Sequence, residues 1–421
     1  MENKNEDENQ LVINDINSLN SGKNTSKSPF SWKKIFLFGA IICFIIIVII
    51  ILIIFLSKKS KSSDEEKERP DIGKIICTYE PMSDGQILGD DFIKISDFDI
   101  YINGTKMKYS KVYDLSLYGT DKVEIRLYSY LNMDNVFKGL ASLISVEMFS
   151  LNNTKITSMI STFENCKNFD FFSISGFSGN ELKSMKKLFY NTNLHNFNFI
   201  NFTTTNLEDI SYMFANTPIS IINLQNLTTD NVTDMSYLFT NCTILNSLLI
   251  SNLNTSKTKN MSHMFEELLL IRDLDLSNFD TKSVVDMSYM FKNCFYLTEI
   301  QVSSFNTESV EDMSHMFSYC SNLISLDLNN FNTKNVRNMS SMFKLCNKLT
   351  SLDIENFNVE EVEDMSEMFF SCNYLKSLDL TNFKTSKVKN IAKMFHECME
   401  IENINLPFFD TSNVYNMSYL F

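Results

Sequence analysis

The side chains with the most chemistry in this sequence are its nine cysteines, its four histidines and a recurrent aspartate. Cys294, Cys320, Cys346, Cys372 and Cys398 recur at a step of 26 residues. The C-x-x-C spacing of a zinc site is absent. Earlier in the chain the same position holds Leu140, Cys166, Thr192, Thr217, Cys242 and Leu268. A position that takes Leu and Thr reads as a small buried slot. Three states stay open for its thiols: inert and buried, bridged between neighbours, or metal-bound. Parallel stacked side chains rarely meet the disulfide torsion. His263 and His315 share a position with Tyr289, Ser341, Glu367 and Lys393. That variability predicts an exposed surface position and argues against a catalytic histidine.

The aspartates make the more interesting column. Asp275, Asp327, Asp353 and Asp379 occupy equivalent places, with Gln301 interrupting them. Ser325, Ser351, Ser377, Asn329 and Thr381 flank them. If each sits on one strand of a parallel stack, ~4.8 Å apart, they form a line of like charges. Such a line is a solvated polar face, a strip for a basic segment of a partner, or a seat for a hard cation held between carboxylates. Phosphate-cradling glycine loops, G-x-S-x-G and H-E-x-x-H are not found in the sequence. No cofactor is expected and the chain reads as a non-enzyme.

These columns need elements that repeat as they do. Phe291, Phe317, Phe343, Phe369, Phe395 and Phe421 fall 26 residues apart, and Phe265, Phe239, Phe214, Phe189, Phe163 and Phe137 extend the series at steps of 25 or 26. A fixed period of this length is one structural unit laid down many times. Within a unit, Leu323, Leu326 and Leu328 form L-x-x-L-x-L, a short strand with its leucines inward and Asp327 outward. A turn of the type FNT or FDT follows. Val310, Met313, Met316, Phe317 and Cys320 then make an apolar stripe spaced 3, 3, 1 and 3, which predicts a helix of two to three turns. Asp312, with Asp209, Asp234, Asp286 and Asp364 and with Asn260, Asn338 and Asn416 in equivalent places, is positioned to cap it. Asp364 to Glu367 has capping-box spacing. The predicted fold is an α/β repeat solenoid of roughly eleven strand–turn–short-helix coils, with the strands lined up as a parallel sheet.

The rest of the chain divides by composition. Residues 1–34 are polar and read as a disordered tail. Residues 35–56 carry no charge and are long enough to cross the ~30 Å hydrocarbon core as one transmembrane helix. Residues 57–73 suit a charged stem. Residues 74–131 alternate apolar and polar at Phe92–Ile95, Phe98–Ile102 and Lys122–Tyr128, with a turn signal at Asn103-Gly104. They predict a β-rich cap over the N-terminal end of the array, residues 132–421. The net charge of −14 argues against a nucleic-acid partner. Ten N-x-S/T acceptors, among them Asn103, Asn152, Asn201, Asn226 and Asn241, favour glycosylation and an array outside the cell. The N-M-S triplets at Asn260, Asn338 and Asn416 arise instead from a cap followed by Met-Ser.

At FNT-x-x-V-x-D-M-S-x-M-F-x-x-C-x-x-L-x-x-L-D-L the chain resembles the BspA-like leucine-rich-repeat surface proteins of bacteria and parasitic protists, over about residues 132–421. The resemblance implies a solenoid at the plasma membrane surface that binds an extracellular protein or glycan and mediates adhesion. It supplies no catalytic residue. The alternative is a glycosylated structural coat without a specific ligand.

Overall fold

The computed structural model describes residues 49, 69–80, 85–92, 95 and 97–421. The chain divides into two units, Met1–Arg69 and Pro70–Phe421. The expected tail (1–34), transmembrane segment (35–56) and most of the stem (57–73) lie outside the described residues. Among the described residues no helix is long and apolar enough to cross a membrane.

The second unit opens with antiparallel strands. These are β1 (Gly73–Tyr79), β2 (Phe98–Ile102), β3 (Thr105–Met107) and β4 (Lys122–Leu127), of which β1 and β4 alternate buried residues with more accessible ones. Asn103 and Gly104 both have positive φ, 49° and 74°, the backbone of a type I′ hairpin between β2 and β3. Phe92 is 3-10 helical and Ile95 lies in a bend, so the strand expected at Phe92–Ile95 is not found among the described residues. β5 (Leu131–Asn132) pairs with β7 (Ile156–Ser158) in a separate two-stranded ladder. β1 pairs with β4 on one side and with β6 (Leu143–Ser150) on the other, both antiparallel. β6 then pairs in parallel with β8 (Phe171–Ser175), and β8 with β9 (Asn196–Ile200). The sheet runs β3-β2-β4-β1-β6-β8-β9, so the cap closes the array by continuing its first strands. Gly176 (φ 71°) is required here, because a Cβ would lie 2.1 Å from the Ser150 carbonyl oxygen.

Beyond the cap the chain is a β-solenoid of about eleven coils, and the predicted short helices are absent. Among the described residues from 69 on there is no α-helix, and the array from residue 132 contains no 3-10 helix either. The stripe Val310, Met313, Met316, Phe317, Cys320 is fully buried, as expected, but its backbone is a run of turns. The N–H groups of Met316, Ser318 and Cys320 donate three residues back, to Met313, His315 and Phe317, at 3.0–3.3 Å. Those of Met313, His315 and Phe317 donate instead to Asn338, Ser340 and Met342 of the next coil, at 2.9–3.0 Å. Turns of three reproduce a helix-like spacing, while alternate amides tie the coils together. Two residues per coil pay for this with a left-handed φ, here His315 (57°) and Tyr319 (64°).

The strand side is less continuous than expected. β10 (Ile221–Asn223) pairs with β11 (Ser247–Leu249), β12 (Asp273–Asp275) with β13 (Glu299–Gln301), and β14 (Ser377–Asp379) with β15 (Asn403–Asn405), all parallel. Residues 325–328 and 351–354 are extended without ladder pairing. Ring stacking runs through the coils independently of the ladder. Tyr212, Tyr237, His263, Tyr289 and His315 stack at 4.1–4.4 Å on the turn side. The core rings of Phe291, Phe317, Phe343, Phe369 and Phe395 are 5.4–5.9 Å apart, and Phe305 and Phe331, across the coil, are 6.3 Å apart. Neighbouring coils are thus in ring contact on the turn side, through the core and beside the FNT turn, whether or not their strands pair.

From Thr255 to Thr333 a buried threonine locks each coil to the next. The Thr307 hydroxyl donates to the Asn332 carbonyl (3.0 Å) and accepts from the Asn332 N–H (2.8 Å). Thr255, Thr281 and Thr333 repeat both bonds. One apolar core runs from Ile75 to Phe395 within residues 70–421, so this unit carries its own folding core.

Candidate interaction surface

The aspartate column is where the sequence places it, exposed along the strand side. Asp275 and Asp379 end β12 and β14, while Asp327 and Asp353 sit in the extended segments between the paired strands. Each also has a local duty. Oδ1 of Asp275, Asp327, Asp353 and Asp379 accepts the N–H two residues on, from Ser277 (3.0 Å), Asn329 (3.1 Å), Glu355 (3.3 Å) and Thr381 (3.0 Å). This is an Asx turn that closes the strand. Asn329 and Thr381, expected as ligand-binding flanks, are therefore the partners that hold two of these carboxylates, and the Thr381 hydroxyl also donates to Asp379. Bonds from the Ser277 side chain and N–H hold the Asp275 carboxyl below its usual range, and those from Thr381 do the same for Asp379.

The charge balance of this face differs from that of its neighbour. On the flank after the FNT turn, acids are neutralised by a base about one coil away: Lys334 on Glu308, Lys384 on Glu360 (2.9 Å), Lys387 on Glu361 (2.6 Å) and Lys389 on Glu363. Exposed pairs like these contribute at most about 1 kcal/mol each. On the strand side Asp273, Asp275, Glu299, Asp327, Asp353, Glu355 and Asp379 are exposed, and among the described residues no ion pair reaches them. A row of uncompensated carboxylates attracts cationic groups and repels acidic ones.

The remaining columns are structural. The thiols of Cys294, Cys320, Cys346 and Cys372 are free and buried, and each S–H donates to a phenylalanine carbonyl of the preceding coil at 3.0–3.1 Å. Burial pushes Cys294 and Cys346 up to about 12. His263 and His315 correct the sequence reading: they are half-buried members of the ring stack. Their faces are covered by neighbours, so the column offers edges and no stacking platform. Burial, and then Lys292 and Lys344, lower the His315 pKa. His263 Nδ1 lies beside Glu266, which also receives Lys292 at 3.1 Å. The expected helix caps are Asx turns too, with Oδ1 of Asp312 and Asp364 accepting from Ser314 and Ser366 at 2.7 Å. No capping box forms, since Glu367 pairs with Lys344 at 2.6 Å.

Of the glycosylation candidates, Asn103, Asn152, Asn201 and Asn226 are exposed. The Asn103 amide donates to the Tyr118 carbonyl and that of Asn226 to the Phe199 carbonyl (3.3 Å). Asn241 is half-buried, has φ 57°, and donates to Asn216 at 2.8 Å. It belongs to a second left-handed column with Asn165, Asn191, Asn216 and Asn293. That recurrence of asparagine, the residue most at home in this conformation after glycine, was the missed signal that turns replace helices here.

The fold and its uncompensated strand side define a repeat solenoid of the leucine-rich-repeat type that presents a long surface. Residues 124–221, 218–325, 296–377 and 320–421 match the family described as Mycoplasma protein of unknown function, DUF285, and the chain belongs to that family. No curated protein matches it. Among solved structures it is similar to a leucine-rich repeat protein from Eubacterium ventriosum, at 14% identity over 62% of this chain and 80% of that one, with a TM-score of 0.33. It is also similar to a chain of the TLR13-ssRNA13 complex, at 12% identity over 68% of each chain, with a TM-score of 0.15. At these scores neither likeness carries an argument.

Proposed function

We propose that this chain is a single-pass, membrane-anchored surface protein of the BspA-like kind, and that it acts by binding rather than by catalysis. The strand side of the array meets an extracellular protein or glycan in adhesion. Residues 35–56 are the anchor, with the N-terminal tail in the cytosol. The observation that carries this reading is the row of exposed carboxylates from Asp273 to Asp379, none of them in an ion pair among the described residues, beside a flank whose acids are paired. The exposure of Asn103, Asn152, Asn201 and Asn226 supports an array outside the cell, where they can accept sugar.

The test uses substitutions that remove charge and keep the Asx turn, because an asparagine Oδ1 still accepts the same N–H. Asp327→Asn, Asp353→Asn and Asp379→Asn together should abolish saturable binding to cells or matrix proteins and leave the melting curve unchanged. Retained binding excludes the strip, and absence of any saturable binding by the parent protein favours the coat reading. Protease treatment of intact cells should remove the repeats; their protection would place them inside.

A further inference from the structure

The strand side is bordered, on three adjacent coils, by apolar side chains that the core does not use. Phe295 and Tyr296 are 46% and 48% exposed, Leu270 is 45% and Ile324 is 56%. Ile244 and Tyr319, at 40% and 39%, widen the patch. The aligned positions are polar on the next two coils, at Ser321 and Asn322 and at Asn347 and Lys348, and Tyr374 follows on the one after. The two rings meet edge to face at 5.1 Å, and the Asn322 amide holds the Phe295 carbonyl at 2.7 Å, so the aromatic pair is rigidly presented. Exposed apolar side chains gathered on neighbouring coils mark an interaction site, and aromatic anchors dominate such sites.

We propose that this corner is the anchoring half of a composite docking surface, and that its occupant is a protein segment carrying large apolar side chains interspersed with lysine or arginine. Charge complementarity selects that occupant. Three to five residues beyond the apolar positions, on the same coils, stand Asp273, Asp275, Glu299 and Asp327, all exposed. Arg272 is the one base among them, so the border is strongly acidic. A purely apolar partner gains nothing from that border, and an acidic one is repelled. An extended segment alternating apolar and basic residues places the first on Phe295 and Tyr296 and the second against the carboxylates. The apolar contacts hold, and the charges orient and exclude wrong partners. The inference rests on the reading that the repeat face binds protein, and it names the partner's chemistry.

Residues 70–421 are titrated with a fluorescent twelve-residue peptide that alternates lysine with leucine and tryptophan, and with two twins. One twin carries glutamate for lysine, the other serine for the apolar residues. The first peptide should bind saturably and more weakly as salt rises, with each twin at least tenfold weaker. Phe295→Ser with Tyr296→Ser, and separately Ile324→Lys, should each weaken it at least tenfold without moving the melting temperature. Equal binding by the parent and both variants overturns the corner and leaves the acidic strip standing. No binding of the first peptide overturns the proposed occupant. Self-association seen by sedimentation velocity and lost in Phe295→Ser with Tyr296→Ser also overturns it, in favour of a second copy of the chain.

Discussion

Thr307→Val isolates the bond that locks one coil to the next. Valine copies the shape of threonine, so the fully buried site stays packed. What disappears is one hydroxyl that serves both backbone groups of Asn332, as donor to its carbonyl (3.0 Å) and acceptor from its N–H (2.8 Å). A buried donor left without a partner costs ~1–3 kcal/mol, and here a carbonyl loses its bond as well. We expect a loss of about 2–3 kcal/mol, and exchange of the Asn332 amide faster by roughly thirtyfold or more. The chain already contains the reverse experiment. Val359 stands where threonine belongs, and the Lys384 N–H that should meet it donates back to the Asn382 carbonyl at 3.0 Å. Val359→Thr should restore the lock and add about 1 kcal/mol. Urea unfolding of residues 70–421 and amide exchange read both changes. Thr307→Val with parental stability, or Val359→Thr with reduced stability, would refute the reasoning.

Four further outcomes follow from the same geometry. Phe343→Ala deletes a fully buried ring stacked at 5.9 and 5.7 Å on Phe317 and Phe369; it should cost ~3–5 kcal/mol in urea unfolding, and an unchanged midpoint would put the wrong face inside. Leu345 holds φ at 60°, so Leu345→Asn should raise stability by about 0.5–1 kcal/mol; a lower melting temperature counts against the left-handed column. Burial pulls the Glu266 carboxyl upward, but the bond from His263 and the Lys292 ammonium outweigh it and hold it below its usual range. Its contribution is therefore complete above the unfolded carboxyl pKa and is lost as pH falls through the depressed folded value, so Glu266→Gln should remove part of the acid destabilisation seen below about pH 4; an identical acid profile would exclude it. With Cys294 and Cys346 pushed up to about 12, alkylation at neutral pH should require unfolding, and fast labelling of the native protein would show the thiols to be accessible.

The periodic part of the fold was legible because each coil repeats the same inward residues. The phenylalanine, methionine and cysteine columns and the leucines of L-x-x-L-x-L are in the core, except at the last coil, where Cys398 is half-buried and Phe421 exposed. The helix was misread because a spacing of 3, 3, 1 and 3 records which residues face inward, not which carbonyl each N–H reaches. Consecutive three-residue turns bury the same stripe. Only the asparagines at Asn165, Asn191, Asn216, Asn241 and Asn293, poor helix formers that accept a left-handed φ, distinguish the two. The aspartate strip was legible as a position, but its Asx turns were not, since their geometry depends on how each strand ends. The apolar corner at Phe295 and Tyr296 escaped notice because its column mixes Leu270 and Tyr374 with Asn322 and Lys348, and a reading built on recurrence passes over a column without one residue type.

The central claim is that alternate amides of the turn segment bond to the next coil and that no helix forms. Far-ultraviolet circular dichroism of residues 70–421 tests it most directly. The account predicts a sheet-and-turn spectrum without a helical double minimum. A helical signal amounting to two or three turns in every coil would contradict it.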